Sequence, residues 1–499
     1  MTRPNIIFIM TDQQRYDAMG CVNPLIQTPA IDSLARDGIR YDQAVCQCPM
    51  CVPSRNSMMF GMYPSQTGVR SNAGALLDES RLPAVPLPQL MADAGYFCAG
   101  FGKTHWNNCR KGEPGSRRGF HVRAEGQPRG SSCWEEGAVM MDEEDPEGLA
   151  AYFAETGEFG GGEENWKGYV GKPSTLDIVH HRDGFIAKKA LEFLDSYEPG
   201  EQPLFLYFSL IKPHAGFNVP PQFEAMYDIN SIPDLPAPPW SEEPETHIAA
   251  AMRVSESLHT VHYSRKEKLD PLPDIEKRRI RLRYYANCTF MDYLIGQFLD
   301  KVRAKGLDRN TLFIFVSDHG EMLGERDGRY SKYCLYESSV RVPMILAGDY
   351  VDKSLHGTVD SRPAMLTDIV PTICRAAGIK ADPRLPGLDL LGERKSRGAF
   401  SEFHGGGGET IQVAPSWMWR TERYKLILFR EGNVLDDTPA QGELYDLEKD
   451  PNEWYNVFDD PAYYEVRTQL MMDLISHMAT AFAKGPAHGH FRGMAPLGG

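Results

Sequence analysis

The chain has 499 residues, 42% of them hydrophobic and 24% charged, with a formal charge of -15 and a pI near 5.5. That length exceeds the roughly 250–300 residues at which a single core stops growing, so a large domain and a smaller one are expected. The acidic balance argues against nucleic acid or an anionic membrane as partner, and no apolar run reaches the roughly 18–20 residues of a bilayer span. The opening MTRPNIIFIMTDQQR has too short an apolar run for a signal-peptide core, so the expected location is cytoplasmic.

In chain order, NIIFIMT is a continuous apolar run of the kind shown by a parallel strand covered on both faces. TPAIDSLARDGI starts a helix at Thr28, with Pro29 in the first turn and Ile31, Leu34 and Ala35 on one face. PLPQLMADAGY and CAGFGK repeat the order of helix then strand. A helix over about 176–197, the strand LFLYFSLI, a long helix over about 277–305, the strands TLFIFVSDHG and VPMILAG, and the helix LTDIVPTICRAAG follow. This alternation predicts an α/β fold, a mostly parallel sheet flanked by helices, over residues 1–385. Residues 107–173, rich in Gly, Glu and Arg, and the proline-rich 214–275 are read as loop insertions over one sheet edge. Beyond Pro386 the short strands GAFSEF, MWRTERYKLILF and GELYDL and a last helix over about 461–484 predict a smaller α+β domain over 386–499. The basic run KRRIRLR, 277–283, is read as a solvated helix face.

TDQQR follows the first strand, which puts Asp12 and Gln13 at its carboxyl end, where open α/β sheets build their sites. VSDHGE delivers Asp318 and His319 in the same way. Either aspartate alone could be a helix N-cap; two strand tips presenting them together suit one hard divalent cation. Ten cysteines are too dilute and irregular for a disulfide framework, so most are expected reduced and packed. Three of them fall in CQCPMCVPSR. Zinc would need a fourth ligand and paired CxxC spacing, and the Cys48–Cys51 spacing lacks a thioredoxin-sized unit around it. Cys46 and Cys48 therefore read as packing residues. Cys51 differs, because Pro53 and Ser54 place it at the electropositive start of a helix with Arg55 one turn on. Lys103 in GKTHW stands at a strand end, and His105 and His214 recur after strand-like runs; each alone would pass for a surface lysine or a satisfied histidine.

Together these motifs resemble the sulfatase family, in which the cysteine of CxPxR is oxidised after translation to formylglycine. IIFIMTDQQR resembles the family's first metal strand, TPAIDSLARDGIRYDQA its next helix, CVPSR and GFGKTHW its two signatures, and VSDHGEMLGE its second metal strand. GELYDLEKDPNEWYN resembles its C-terminal hallmark. The resemblance implies an alkaline-phosphatase-like fold and hydrolysis of a sulfate monoester, aryl or carbohydrate. It implies a formylglycine-generating enzyme as partner on the nascent chain. Cys51 would be the nucleophile. Asp12, Gln13, Asp318 and His319, with position 51, would hold one divalent metal, calcium before magnesium or manganese. Arg55 would stabilise the diol; Lys103, His105, His214 and Lys332 of GRYSKYCLYE would bind sulfate oxygens, protonate the leaving alkoxide or take the diol proton. Asn72 of GVRSN is a further implied substrate contact. A hydrated aldehyde offers one hydroxyl to attack sulfur, and the second lets the sulfated intermediate collapse to aldehyde and free sulfate.

Two departures matter. Many sulfatases carry two aspartates after the first strand, and here the second is Gln13, a pairing with Asp-His also seen in phosphonate monoester hydrolases. Phe60-Gly61-Met62 stands where the family continues to Thr-Gly-Arg. A phosphonate monoester or phosphodiester hydrolase on the same scaffold therefore stays open, as does a non-catalytic sulfate-ester binder with an unmodified cysteine. The alcohol carrying the sulfate is not legible, although Trp106 and the two insertions are expected to shape its pocket.

Overall fold

The computed structural model describes residues 3–72, 82–105, 114–131, 133–156, 171–236, 239–240, 273–328, 330–393, 398–405, 415–429 and 441–483. Its main strands are β1 (Asn5–Asp12), β2 (Gly38–Tyr41), β3 (Ala44–Val45), β4 (Phe97–Gly102), β5 (Val122–Glu125), β6 (Val139–Met140), β7 (Leu204–Pro213), β8 (Thr311–Ser317), β9 (Met344–Ala347), β10 (Thr358–Asp360) and β11 (Ala364–Met365). Nine of these form one sheet in the order β10-β2-β9-β8-β1-β7-β4-β5-β6, while β3 and β11 pair separately. Within the nine, only β9 runs against its neighbours, pairing antiparallel with both β8 and β2.

The helices that matter are α1 (Pro29–Arg36), α2 (Cys51–Phe60), α3 (Arg182–Ser196), α4 (Asp274–Ala304), α5 (Ile369–Ala377) and α6 (Tyr464–Ala483). The alternation along β1 decides how they pack. Ile7 and Ile9 point into a core shared with Ile31 and Leu34 of α1, Ile186 and Leu194 of α3, and Phe290 and Phe298 of α4. Ile6, Phe8 and Met10 point to the other face, against Met58 and Met59 of α2 and Ile369 and Ile373 of α5. With both faces covered, the central strand has no polar side to show, which is why it reads as an unbroken apolar run. Registers align the strand ends: Met10 lies opposite Ser209 and Val316, and Gly102 opposite Ser209. Residues just past β1, β4, β7 and β8 consequently gather at one edge.

A second, antiparallel sheet is formed by β12 (Ala399–Phe403), β13 (Ser416–Arg420), β14 (Tyr424–Phe429) and β15 (Gln441–Asp446). Its Phe400, Met418, Leu426 and Leu444 join the core that holds Phe8 and Met10, so the small sheet shares its interior with one face of the large one. The sequence read MWRTERYKLILF as one strand; it is a hairpin that turns at Thr421–Arg423, where Thr421 N–H donates to Tyr424 O (2.8 Å) and Tyr424 N–H to Thr421 Oγ1 (2.9 Å). The stretch 107–173, read as a loop insertion over one sheet edge, supplies strand β5 and the edge strand β6; its residues 107–113, 132 and 157–170 lie outside the described residues, as do 237–238 and 241–272 of the second insertion. KRRIRLR is not a solvated face throughout. Arg281 and Arg283 are buried, Arg281 donating to Pro233 O and Arg283 pairing with Glu224 at 3.2 Å, because the loop after β7 folds back over α4. The nine cysteines among the described residues are all unpaired, and Cys46 and Cys48 are fully buried as packing residues. No described helix is long and apolar enough to cross a membrane.

A buried ionic cluster ties the small sheet to the segment ahead of β9. Lys425 of β14, 0% exposed, lies 3.1 Å from Glu337 and 2.7 Å from Glu453, while Arg420 reaches Glu337 at 3.0 Å. Removing one member of such a cluster strands its partners without solvent, so Lys425→Ala is expected to cost about 3–5 kcal/mol of stability, measured by urea unfolding. Burial alone would raise the Glu337 carboxyl, but Arg420, Lys425 and Arg341 outweigh it and hold it well below its usual range. Its contribution is therefore present above the ordinary value of 4.5 and lost as pH falls through the folded one, and the variant, which keeps Arg420 and Arg341, should lose part of that acid dependence.

Candidate active site

At the gathered edge, β1 ends on Asp12 and β8 is followed by Asp318 and His319, all three 0% exposed. The next turn, at Gln13, takes a left-handed backbone (φ 66°), and Gln13 N–H donates to Asp318 Oδ1 at 3.0 Å, locking the two strand tips together. Tyr284 of α4 donates its hydroxyl to Gln13 O (2.7 Å) and accepts from Arg15 N–H (2.9 Å), bracing the same turn.

Helix α2 begins at Cys51, with Met50 as its extended cap, so the Cys51 side chain sits at the positive end as the sequence predicted. Ser54 Oγ donates to Asp318 O at 2.5 Å, fixing the helix over β8. Arg55, fully buried one turn on, gives Nε to Asp318 Oδ2 (2.7 Å), Nη2 to Asp12 Oδ2 (3.1 Å), and Nη1 to Lys103 O (2.5 Å) and Ser209 Oγ (3.0 Å). Lys103, just past β4, puts Nζ 2.6 Å from Asp12 Oδ2. Lys332 donates to both Gln13 Oε1 (2.7 Å) and Cys51 Sγ (3.1 Å), and His319 Nε2 lies 3.2 Å from the same sulfur.

His105, in a left-handed turn after β4, is hydrogen-bonded to Cys51 and has a buried Nδ1 with no partner among the described residues. His214 follows β7, half-buried, with Nδ1 2.7 Å from Ala215 O and close enough for its charge to act on Asp12. Asn72 accepts from Val52 N–H (3.1 Å), satisfying one of the unpaired donors in the first turn of α2 beside Cys51. All eleven residues singled out in the sequence therefore converge on one place.

Electrostatics follow from that crowding. Burial would raise the Cys51 thiol, but Lys103, Lys332 and His319 bring it well below its usual value. Burial would likewise raise Asp12, as would the neighbouring Cys51 charge, yet Lys103, His214 and Arg55 keep it low and ionised. His105 moves the other way: burial first, then Lys103, take it down to about 4, leaving it neutral near pH 7. The site thus holds a thiol shifted toward its anion and the ionised Asp12 carboxylate among fixed cations, with a neutral imidazole alongside.

The sulfatase profile matches residues 4–379, three quarters of the chain. The chain belongs to the sulfatase family. A second profile, the C-terminal part of N-sulphoglucosamine sulphohydrolase, matches residues 324–480. The uncharacterized sulfatase YidJ of Escherichia coli is 26% identical over 494 residues, covering 96% of this chain and 88% of its own. An arylsulfatase of Clostridium perfringens is 26% identical over 95% of this chain and 94% of its own. The crystal structure of the phosphonate monoester hydrolase of Agrobacterium radiobacter is similar at a TM-score of 0.74 and 23% identity, covering 96% of both chains, a likeness of fold.

In this sulfatase the donor atoms of Asp12, Cys51, Asp318 and His319 all lie within 4.8 Å of one another, and all four residues are buried. His319 Nε2 is 3.6 Å from Asp318 Oδ1 and 3.9 Å from Asp12 Oδ1, so carboxylate oxygens and one imidazole nitrogen face a common point. That donor set fits a divalent cation that prefers oxygen. The sequence reading missed three supporting residues. Ser209 and Tyr284 gave no signal, sitting in an apolar strand and mid-helix; Glu321, two residues after His319, stood in plain view inside VSDHGE.

Proposed function

We propose that the protein hydrolyses a sulfate monoester of an aryl or carbohydrate alcohol, with Cys51 converted to formylglycine by a formylglycine-generating enzyme. The observation that carries this reading is the position of Cys51 Sγ, at a helix start, 3.1 Å from Lys332 Nζ, 3.2 Å from His319 Nε2 and 3.8 Å from Asp12 Oδ1. Sγ here stands for the hydroxyl oxygens of the hydrated aldehyde. Asp12, Gln13, Asp318 and His319 are the residues that would hold the cation, calcium before magnesium or manganese, which supplies positive charge to the reacting oxygens.

The chain's own groups divide the remaining work. Lys103 and Lys332, both buried, bind the sulfate oxygens and neutralise charge that grows on them in the transition state. Arg55 pairs with both carboxylates and adds its charge beside the diol. His214 gives a proton to the departing alkoxide, with Asn72 as a further substrate contact. His105, neutral near pH 7, takes the proton of the second diol hydroxyl, so that the sulfate ester collapses to aldehyde and releases sulfate.

The Asp12–Gln13 pair favours one second reading, a phosphonate monoester or phosphodiester hydrolase. Such esters are tetrahedral monoanions like a sulfate monoester, and the same cations receive them equally well. One preparation, made in a host with the modifying enzyme, tests both. Peptide mass spectrometry is expected to find the aldehyde at position 51, and rates on paired aryl substrates to favour the sulfate over the phosphonate by more than about tenfold, or 1.4 kcal/mol of barrier. Unmodified thiol with full activity sinks the first reading, and a reversed preference promotes the second.

A further inference from the structure

We propose that Glu321 is a positioning residue that sets which end of the Gln13 amide faces the cation site, and is thereby what makes an amide workable at position 13. The proposal rests on the reading that Asp12, Gln13, Asp318 and His319 hold the cation. Gln13 is 1% exposed and lies between two groups of fixed hydrogen-bonding character. On one side the Glu321 carboxylate accepts from Gln13 Nε2; on the other, Lys332 Nζ donates to Gln13 Oε1 at 2.7 Å. A carboxylate only accepts and an ammonium only donates, so the opposite amide orientation would set oxygen against oxygen and nitrogen against nitrogen. The carbonyl oxygen, the only end able to ligate a cation, is therefore turned toward Lys332 and Cys51.

Glu321 cannot relax out of this role, because its two oxygens have separate duties. Oε1 accepts from Leu323 N–H (3.0 Å) and from Ser331 N–H, and only Oε2 is left for Gln13. Ser331 precedes Lys332, so the same carboxylate also anchors the segment that brings the lysine in. An amide at 321 would have to keep its oxygen on the two backbone donors and turn its NH₂ toward Gln13. Gln13 would then have to rotate and present its own NH₂ to the cation. Exchanging the two residues avoids that conflict: a glutamate at 13 would accept from an amide at 321 and still offer oxygen to the cation.

The experiment is calorimetric titration of Ca²⁺, and separately Mn²⁺, into metal-stripped wild type, Glu321→Gln, Gln13→Glu and the double variant, with melting temperatures recorded metal-free. Glu321→Gln is expected to weaken cation binding by about 10–100-fold, the usual effect of losing an outer partner of a metal ligand, and Gln13→Glu to weaken it through the carboxylate it sets against that of Glu321. The double variant is expected to recover most of that loss, since coupled neighbours are not additive. Losses that add in the double variant, or a Glu321→Gln protein that melts lower yet binds as wild type, overturn the proposal. If Glu321→Gln does not fold, Glu321→Asp, which withdraws the acceptor by one methylene, must weaken binding, and unchanged affinity overturns the proposal equally. Wild type that binds neither ion overturns the cation reading itself and the proposal with it, whereas a wild type that binds beside uncoupled variants overturns the proposal alone.

Discussion

Cys51→Ala is expected to lower turnover of an aryl sulfate by a factor on the order of 10⁵–10⁶ while leaving the protein folded, as nucleophile deletions do elsewhere. The loss is large because no neighbour can substitute. His319 and Lys332 point at the sulfur, and the remaining oxygen nucleophiles within reach are carboxylates tied to Arg55 and Lys103. The fold should survive, since one buried sulfur is removed from a helix whose ten residues are all packed. Cys51→Ser separates attack from release: a single hydroxyl can accept the sulfo group but has no second hydroxyl to expel it. One equivalent of alcohol followed by a stall is expected in a rapid-quench time course. Alanine-variant activity above background would remove residue 51 from the chemistry.

Arg55→Ala is expected to inactivate the enzyme and to cost about 3–5 kcal/mol as well, since it removes the partner of two fully buried carboxylates. Burial alone would lower the Arg55 guanidinium, but Asp318, Tyr207 and Asp12 raise it well above its ordinary value, so its charge is permanent. Asp12 and Asp318 would be left facing each other with Lys103 as the nearest cation, Ser209 Oγ would lose the Arg55 donor, and Lys103 O would keep only the Tyr207 hydroxyl. A bound divalent cation relieves that repulsion, so the deficit should be larger in metal-stripped protein than with saturating calcium, read by urea unfolding in both states. Arg55→Lys should recover little, because one ammonium cannot reach four acceptors that a planar fork serves at once. Equal stability of wild type and alanine variant without metal would contradict this account.

The central strands were legible because β1, β7 and β8 are covered on both faces and can carry only apolar side chains. The candidate site was legible for a related reason: Asp12, Lys103, His214, Asp318 and His319 each follow such a run by at most three residues, and parallel strands in register bring their ends together. Elements decided by other means were not legible. β5 and β6 are short, four and two residues, and β6 is the edge strand, so neither carries an apolar run long enough to announce it. The β13–β14 hairpin turns on Thr421, with neither Gly nor Pro to announce it. Arg281 and Arg283 look solvated until the loop covering them is placed. Glu321 lies in plain sight in VSDHGE, but a carboxylate next to a metal-type motif reads as one more acid; its importance lies in what its second oxygen cannot do.

The burial of Cys51, 2% exposed at the start of α2 and walled by Asp318, His319 and Lys332, sets a deadline on the proposed reading. On that reading, the modifying enzyme would have to reach that side chain before β8 pairs with β1 and the Lys332 segment closes over it. Lys332 is synthesised 281 residues after Cys51 (332 − 51), which at bacterial-to-eukaryotic rates of about 5–20 residues per second leaves a window of roughly 14–56 s. On the proposed formylglycine reading, the catalytic competence of each molecule would be settled by a race during its own synthesis, and a late finish would leave a folded protein with an unmodified thiol.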